Sequence, residues 1–161
     1  MRFPVVILAM ALAGALALAC AGANDAAGQT SARGTADQQV RTMKIRMDVE
    51  GTTITATLVD NETARDFVSL LPLTLTLKDY AATEKISDLP RKLSTEGAPS
   101  GSDPSIGDIA YYSPWGNLAV FYRDSGYASG LVTLGQIDSN VDALNRPGPL
   151  AVAIELIDSS R

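Results

Sequence analysis

An alternation of apolar and polar residues in two adjacent segments limits most strongly what this chain can fold into. Residues 44–50 read KIRMDVE and residues 52–58 read TTITATL, so apolar residues recur at every second position. A period of two is the spacing of a β-strand that buries one face and leaves the other in water. Glu50-Gly51, between the two segments, suits the positive φ angles of a tight turn. The pattern therefore predicts a β-hairpin.

A short amphipathic helix is predicted directly after the hairpin. Asp60 or Asn61 can cap its N-terminus through a side-chain oxygen. An apolar stripe follows at the spacing of one helix face, formed by Ala64, Phe67, Val68 and Leu71. Pro72 cannot continue a helix, so the helix is predicted to end at Leu71. Residues 73–77 then alternate leucine with threonine, which predicts that the chain enters a sheet again.

Several more strands are predicted, with one long loop among them. Residues 90–107 contain three prolines and three glycines, the composition of a surface loop with turns. The other strand candidates lie at 84–90, 108–113, 117–123, 131–137 and 149–156, and residues 139–145 could form one helical turn. Apolar residues at odd and even positions alike predict burial on both faces of several strands. Seven or eight short strands with one helix indicate an all-β domain, either a barrel or a sandwich.

The order of these elements resembles the cyclophilin fold, and more closely the small bacterial cyclophilin-like proteins. The resemblance lies in residues 43–77, in GDIAYYSPWGNLAVFYRD at 107–124 and in LGQIDSNVDAL at 134–144. It covers nearly all of residues 43–158. It implies a closed eight-stranded β-barrel, but no particular function.

The cyclophilins that isomerise X-Pro bonds use residues that have no counterpart here. In those enzymes an arginine on a Phe-His-Arg strand polarises the prolyl amide, and an aromatic pocket holds the proline ring. The strands predicted at 73–80 and 84–90 contain no such tripeptide, and the sequence has no histidine. Arg65 and Arg123 are the available cations, and neither matches the position of that arginine.

The composition leaves few other routes to catalysis. With no histidine and one cysteine, Cys20, a Ser-His-Asp triad, a Cys-His pair and an ordinary zinc site all lack members. Asp124-Ser125-Gly126 matches the aspartic-protease signature, but that chemistry needs two copies, and the same tripeptide is a common turn. We therefore predict no catalytic residue, no cofactor and no metal site.

Aromatic residues concentrate between positions 111 and 127, which hold six of the nine aromatic residues. The segment at 114–117, Pro-Trp-Gly-Asn, reads as a tight turn that would place the indole near a barrel rim. A tyrosine hydroxyl needs water or a partner, so the cluster cannot all be dry core. The predicted ligand-binding residues are Tyr111, Trp115, Tyr122, Arg123 and Tyr127. The alternative is core filling, and a guanidinium over the aromatic rim would favour an isomerase.

The N-terminal segment resembles a secretory signal. Arg2 precedes an uninterrupted apolar and small run over residues 3–19, and ALAC, which ends at Cys20, resembles the bacterial lipobox. Residues 1–20 are therefore predicted to be a signal peptide, with lipidation at Cys20. Ordinary cleavage nearby and an uncleaved membrane anchor are the alternatives.

The remaining chain divides into a linker and one domain. Residues 21–40 are small and polar and predict a flexible linker, and residues 41–158 have the length of a single domain. The 18 acidic residues outnumber the 13 basic ones, and the sequence has no basic stripe. This charge balance argues against nucleic-acid binding and against membrane contact other than through a lipid anchor. The combined prediction is an exported, non-catalytic module of the cell envelope that binds a small ligand or peptide. A peptidyl-prolyl isomerase with a rebuilt site is the alternative.

Overall fold

The computed structural model describes residues 42–157, which form ten strands, one α-helix and one 3₁₀ turn. In chain order these are β1 (Met43–Val49), β2 (Thr52–Leu58), α1 (Glu62–Val68), β3 (Leu73–Tyr80), β4 (Glu84–Asp88), β5 (Gly101–Ser102), β6 (Asp108–Tyr112), β7 (Asn117–Phe121), β8 (Ala128–Ser129), β9 (Leu131–Ile137), the 3₁₀ turn (Val141–Leu144) and β10 (Leu150–Ile157). Within 42–157, no helix has the length and apolar character needed to cross a membrane. The predicted signal peptide, lipidated Cys20 and linker lie outside the described residues.

Eight of the strands close into an antiparallel barrel in the order β1-β10-β3-β4-β7-β6-β9-β2. Strand β1 lies between β2 and β10, so that Met47 faces Ile54 on one side and Ile154 on the other. All three side chains are fully buried, as the alternation along these strands requires. The prediction of an all-β, closed eight-stranded barrel is confirmed.

The first hairpin turns where its sequence predicts. Glu50 and Gly51 have φ angles of 49° and 83°, a two-residue geometry whose twist matches the twist of the flanking strands. The Gly51 N–H also donates a hydrogen bond to Asp48 Oδ1 at 2.9 Å. The turn fixes the register of β1 and β2, and with it the face that each apolar residue presents to the core.

Helix α1 begins at a capping side chain and docks through its apolar face. The Oδ1 atom of Asn61 accepts a hydrogen bond from the Ala64 N–H at 2.7 Å, and the Asn61 side-chain amide donates to the Thr133 carbonyl oxygen at 3.0 Å. Ala64 and Phe67 are fully buried. The cap therefore both starts the helix and ties it to β9.

The helix is shorter than predicted. It ends at Val68, so the prediction that it reaches Leu71 is wrong. The N–H groups of Leu70 and Leu71 donate to the Phe67 and Val68 carbonyl oxygens, three residues back. The chain thus leaves the α-helix through a tighter 3₁₀-type turn before Pro72. Leu71 still packs against the core, which is why the apolar spacing continues past the helix.

Apolar residues form two clusters, one inside the barrel and one on its outer face. Strands β6 and β7 contribute to both, because successive side chains along a strand point to opposite faces. Their inner residues are Ile109, Tyr111, Leu118 and Val120. Their outer residues, Ala110, Ala119 and Phe121, form the outer cluster together with Leu131 of β9. The predicted burial on both faces of these strands is confirmed.

Two loop segments meet beside the outer cluster. Gly101 pairs with Ser129 and Ser102 pairs with Ala128, which makes the two-stranded sheet β5–β8, and Ala128 packs on the outer cluster. A Cβ atom at Gly101 would overlap the Ala128 carbonyl oxygen and the Tyr127 ring, so this close approach requires glycine. The loop predicted at 90–107 therefore contains a short strand.

Candidate functional site

A cleft of about 220 Å³ lies on the outer face of the barrel, beside the outer apolar cluster. The β3–β4 turn, strands β4, β6 and β7, and the loops around residues 104 and 125 contribute to its lining. The lining includes Tyr80, Glu84, Tyr112, Trp115, Asn117 and Phe121. The lining of the cleft therefore combines apolar residues of the outer cluster with a few polar groups.

Three aromatic side chains form one side of the cleft, which we call the aromatic wall: Tyr80, Tyr112 and Trp115. Trp115 contacts both tyrosines, with ring centroids 5.3 Å apart in each pair and interplanar angles of 90° and 86°. Edge-to-face contacts at this distance are favourable beyond the area that they bury. Trp115 is 54% exposed and Tyr80 is 42% exposed. The wall is thus ordered by its own contacts and still has surface for a bound molecule.

The turn between β6 and β7 positions the indole. Gly116 has a φ of 77°, and its N–H donates to the Tyr112 carbonyl oxygen at 2.8 Å. A left-handed residue in a tight turn favours glycine, because a Cβ atom would be strained there. The predicted turn with Trp115 at a rim of the barrel is confirmed.

A second tight turn, from β3 to β4, positions Tyr80 of the aromatic wall and Glu84 beside it. Ala81 and Ala82 have φ angles of 49° and 56°, a region that residues with a Cβ atom rarely adopt. The Thr83 N–H closes the turn by donating to the Tyr80 carbonyl oxygen at 3.2 Å. Tyr80 and Glu84 consequently lie directly opposite each other. Strained backbone of this kind often marks a binding site.

Glu84 places a carboxylate in the cleft between two aromatic residues. It lies opposite Tyr80 of β3 on one side and opposite Phe121 of β7 on the other. Partial burial raises the pKa of the Glu84 carboxyl above its ordinary value, and a hydrogen bond with Thr83 opposes this effect. Within residues 42–157, Glu84 makes no ion pair.

Asn117 brings an unsatisfied carboxamide to the cleft. The residue is 2% exposed, and its Oδ1 has no hydrogen-bond partner in the described part of the chain. A buried polar atom without a partner costs about 1–3 kcal/mol, and folded proteins leave few of them. Rotation of the side-chain amide exchanges Oδ1 and Nδ2. Asn117 can therefore offer either an acceptor or a donor to a molecule in the cleft.

Among the described residues that were predicted to bind a ligand, Trp115 alone lines this cleft. Tyr111 is 1% exposed, belongs to the inner cluster, and its hydroxyl accepts the Leu93 N–H at 3.1 Å. Tyr127 is exposed, and its hydroxyl is hydrogen bonded to the Ser100 hydroxyl at 3.1 Å. The structure therefore does not bring these two tyrosines together with Trp115 in one site.

Tyr122 and Arg123 lie away from the cleft. Tyr122 lines a second depression with Asp79 and Arg146, and its hydroxyl donates to Asp79 Oδ1 at 3.1 Å. Burial, followed by this hydrogen bond, raises the pKa of the Tyr122 phenol. The Cζ atom of Arg123 lies 5.9 Å from the Tyr122 ring centroid. A guanidinium thus lies over one of the predicted aromatic residues, but that ring is not part of the aromatic wall.

Five of the six lining residues named above were not among the residues predicted to bind a ligand: Tyr80, Glu84, Tyr112, Asn117 and Phe121. A signal for Tyr112 was present, because the alternation of β6 places it on the face opposite to Tyr111. Tyr80 and Glu84 gave no such signal. They are distant in sequence from the aromatic segment and reach it only through the pairing of β4 with β7.

Lys85 follows Glu84 in the sequence but points into the barrel. Its ammonium donates to the carbonyl oxygens of Arg146 and Gly148 at 2.6 and 2.9 Å. It also lies 2.8 Å from Asp79 Oδ2, and this contact lowers the pKa of the Asp79 carboxyl. Three acceptors therefore surround a fully buried charge, which satisfies the requirement for burying it.

The segment that matches the aspartic-protease signature anchors a loop. Asp124 Oδ1 accepts a hydrogen bond from the Ile106 N–H at 2.9 Å, and the Ser125 N–H donates to the Pro104 carbonyl oxygen at 3.1 Å. These contacts hold residues 104–106 beside the cleft. Across residues 42–157, no group of three side chains is placed to hold a metal ion.

Comparison with known proteins agrees with this architecture. The model of the cyclophilin-like family matches residues 47–155, and the chain therefore belongs to that family. The solution structure of a hypothetical protein from Archaeoglobus fulgidus is similar, with a TM-score of 0.56 and 18% sequence identity, over 74% of this chain and 98% of that chain. At this identity the similarity shows a shared fold alone. No curated protein sequence matches the chain significantly.

Proposed function

We propose that this protein is a non-catalytic binding module that holds a small ligand or a peptide in the cleft beside the aromatic wall. The observation that carries the proposal is Asn117, a buried carboxamide whose Oδ1 has no partner in the described part of the chain, in a cleft with exposed aromatic rings. Apolar surface with a few convergent polar groups is the usual make-up of a ligand site. A bound molecule would supply the missing hydrogen bond.

The lining of the cleft supports binding rather than prolyl isomerisation. An isomerase must hold the proline ring and aim a hydrogen-bond donor at the prolyl nitrogen as the amide twists. Within the described residues, no lysine or arginine lines the cleft. The Asn117 amide is a neutral group and the Glu84 carboxylate is an acceptor when ionised. Neither is the guanidinium that catalytic cyclophilins use.

An isomerase built around Arg123 is the second candidate. The observation that favours it is the position of the Arg123 guanidinium over the Tyr122 ring, at 5.9 Å. In this reading the substrate would bind at the second depression, which Tyr122 lines with Ala81, Ala82 and Pro147. The Tyr122 hydroxyl is already bonded to Asp79 there.

The cellular location is part of the same proposal. The signal-like residues 1–20 and the lipobox-like ALAC segment support export and a lipid anchor at Cys20. The acidic balance of the chain supports contact with the membrane only through that anchor. The binding module would then act in the cell envelope or outside the cell.

Tryptophan fluorescence offers a direct test of binding, because Trp115 is the only tryptophan of the chain. A collection of short peptides and small metabolites is screened against the purified full chain by thermal shift, and each positive is titrated while the indole emission is followed. We expect at least one compound to raise the melting temperature and to change the emission at the same concentration. If no compound does both, the binding proposal is wrong.

A matched pair of variants locates the site. Tyr80→Ala removes part of the aromatic wall, whereas Tyr127→Ala removes a tyrosine that is also exposed but does not line the cleft. We expect the first variant to weaken binding of the positive compound about tenfold or more and the second to leave it within about twofold. Equal losses would place the site elsewhere.

A further inference from the structure

We propose that the occupant of the cleft is a short peptide segment with a lysine or arginine side chain, whose charge lies at Glu84 while a peptide group meets Asn117. This inference rests on the proposed binding function and names the class of ligand. It follows from the placement of Glu84 and Asn117 on two adjacent strands, β4 and β7.

The charge of the site selects a cation. Glu84 is the one acidic or basic side chain that lines the cleft among the described residues. The adjacent cation, Lys85, is fully buried on the other face of β4 and already has three acceptors. Glu84 therefore lies in a partly dry environment without a counter-charge, and a ligand ammonium or guanidinium would provide one.

The neighbours of the carboxylate favour the same class. Tyr80 and Phe121 lie directly opposite Glu84 on the strands to either side. Aromatic rings attract a cation through their faces, and the attraction strengthens when water is excluded. Phe121 is 2% exposed and Tyr80 is 42% exposed, so the Tyr80 ring has free surface. The apolar stem of a lysine or arginine side chain can pack on that ring while its head reaches the carboxylate. An anionic ligand would find no cation in the lining and would be repelled by Glu84.

The second polar group lies at a distance that suits a peptide. Asn117 and Phe121 are four residues apart on β7, and Phe121 is opposite Glu84. At about 3.3 Å per residue, the two polar positions are about 13 Å apart along the strand. An extended segment of three or four residues has about this length. The Oδ1 atom of Asn117, which has no partner among the described residues, can accept a hydrogen bond from a peptide N–H.

Three capped tripeptides test the charge requirement: acetyl-Ala-Lys-Ala-amide, the norleucine analogue that keeps the apolar stem without the ammonium, and the glutamate analogue. Each is titrated into the purified full chain while Trp115 fluorescence is followed. We expect the lysine peptide to bind about tenfold or more tightly than the norleucine peptide, and the glutamate peptide to bind weakest. Equal dissociation constants for the three would overturn the inference.

Substitution of the carboxylate provides the matched test. In Glu84→Gln the lysine peptide should bind no better than the norleucine peptide, while the norleucine peptide binds as it does to the wild type. Glu62→Gln, an exposed glutamate on α1 that does not line the cleft, should preserve the full preference. A lysine preference that survives in Glu84→Gln would show that another group supplies the charge.

The outcomes separate this inference from the proposed function. If the lysine and norleucine peptides bind equally well and Tyr80→Ala weakens both, the cleft binds ligands but does not select a cation. If none of the three peptides changes the indole emission while a neutral metabolite does, the site is not a peptide site and this inference fails alone. If no compound of any class binds, both proposals fail.

Discussion

Glu84 and Lys85 are consecutive residues of β4 with opposite surroundings. The Lys85 ammonium is fully buried and is held by Asp79 and two backbone carbonyl oxygens. The Glu84 carboxylate lines the cleft and has no ion pair within residues 42–157. Because successive side chains of a strand point to opposite faces, the lysine cannot neutralise its neighbour. One strand thus supplies both a closed structural ion pair and an open site for a cation.

The Lys85 cluster should contribute strongly to stability. Lys85→Met keeps most of the apolar stem but leaves the Arg146 and Gly148 carbonyl oxygens without their donor. We expect the free energy of unfolding to fall by about 2–4 kcal/mol, because removing one partner of a buried pair leaves the other unsatisfied. Chemical denaturation measures the change. Lys78→Met, at an exposed lysine of β3, is the control and should be nearly neutral, and a neutral Lys85→Met would contradict the assigned role.

The docking of helix α1 rests on one ring. Phe67 is fully buried in the inner cluster, so Phe67→Ala leaves a cavity and should lower the free energy of unfolding by about 3–5 kcal/mol. Val68→Ala, at a half-buried position of the same helix, should have a clearly smaller effect. Comparable small losses in both variants would mean that the ring does not anchor the helix.

Acid should weaken the contact between the helix and the segment after β4. Asp66 accepts hydrogen bonds from both terminal nitrogens of Arg91 at 2.9 and 2.6 Å and from the Ser94 N–H at 2.7 Å. The Arg91 hydrogen bonds, together with the Ser94 N–H, lower the pKa of Asp66 from 3.8 to about 2. Since the folded-state pKa is the lower one, this stabilisation is complete above the unfolded-state pKa and is lost as the pH falls towards 2.

Asp66→Asn tests this linkage. We expect it to lower the free energy of unfolding by about 1–2 kcal/mol near neutral pH, after allowance for solvent screening. The difference from the wild type should shrink steadily as the pH is lowered from about 4. Asp103→Asn, at an exposed carboxylate in the 90–107 loop, should show little difference at any pH. A difference for Asp66→Asn that does not depend on pH would point to lost packing instead.

The alternation of apolar and polar residues predicted most of the barrel strands. In a strand with one buried face, the residues next in sequence are enough to show which side chains face the core. Met47 and Ile54 could be assigned to the inside from their neighbours alone. Asp60 and Asn61 were both candidate caps, and the structure shows that Asn61 is the cap. Leu71 was assigned to the helix because it continues the apolar spacing, but backbone hydrogen bonding changes before it. A pattern of side chains reports which residues are buried and not which hydrogen bonds hold them.

The cleft was harder to predict because its residues meet only in three dimensions. Adjacent tyrosines at 111 and 112 are both apolar enough for either face, and only the register of β6 decides that Tyr112 faces the cleft. Lysine is seldom buried, so no local pattern indicated that Lys85 lies inside the barrel. When Lys85 lies inside the barrel, the neighbouring Glu84 must lie on the outer face. The positions of both residues therefore follow only from the closed barrel.

The export prediction can be tested in cells. When a bacterium that expresses the chain is grown with labelled palmitate, the wild type should take up the label and Cys20→Ser should not, because the thiol of Cys20 starts lipid attachment in a lipobox. Cys20 is the only cysteine, so no other thiol can mask the result. Equal labelling of both proteins would contradict the lipoprotein prediction, and a mature N-terminus elsewhere would indicate simple secretion.

An assay of prolyl isomerisation tests most directly the claim that this barrel binds a ligand without catalysing a reaction. The uncatalysed barrier is about 18–20 kcal/mol, and an enzyme lowers it only through contacts that are stronger in the twisted amide than in the planar one. In a protease-coupled assay on an X-Pro peptide, the purified full chain should leave the rate at its background value, since no arginine or lysine lines the cleft among the described residues. A rate well above background that disappears in Arg123→Ala would contradict the account and would show that the active site was rebuilt around Arg123.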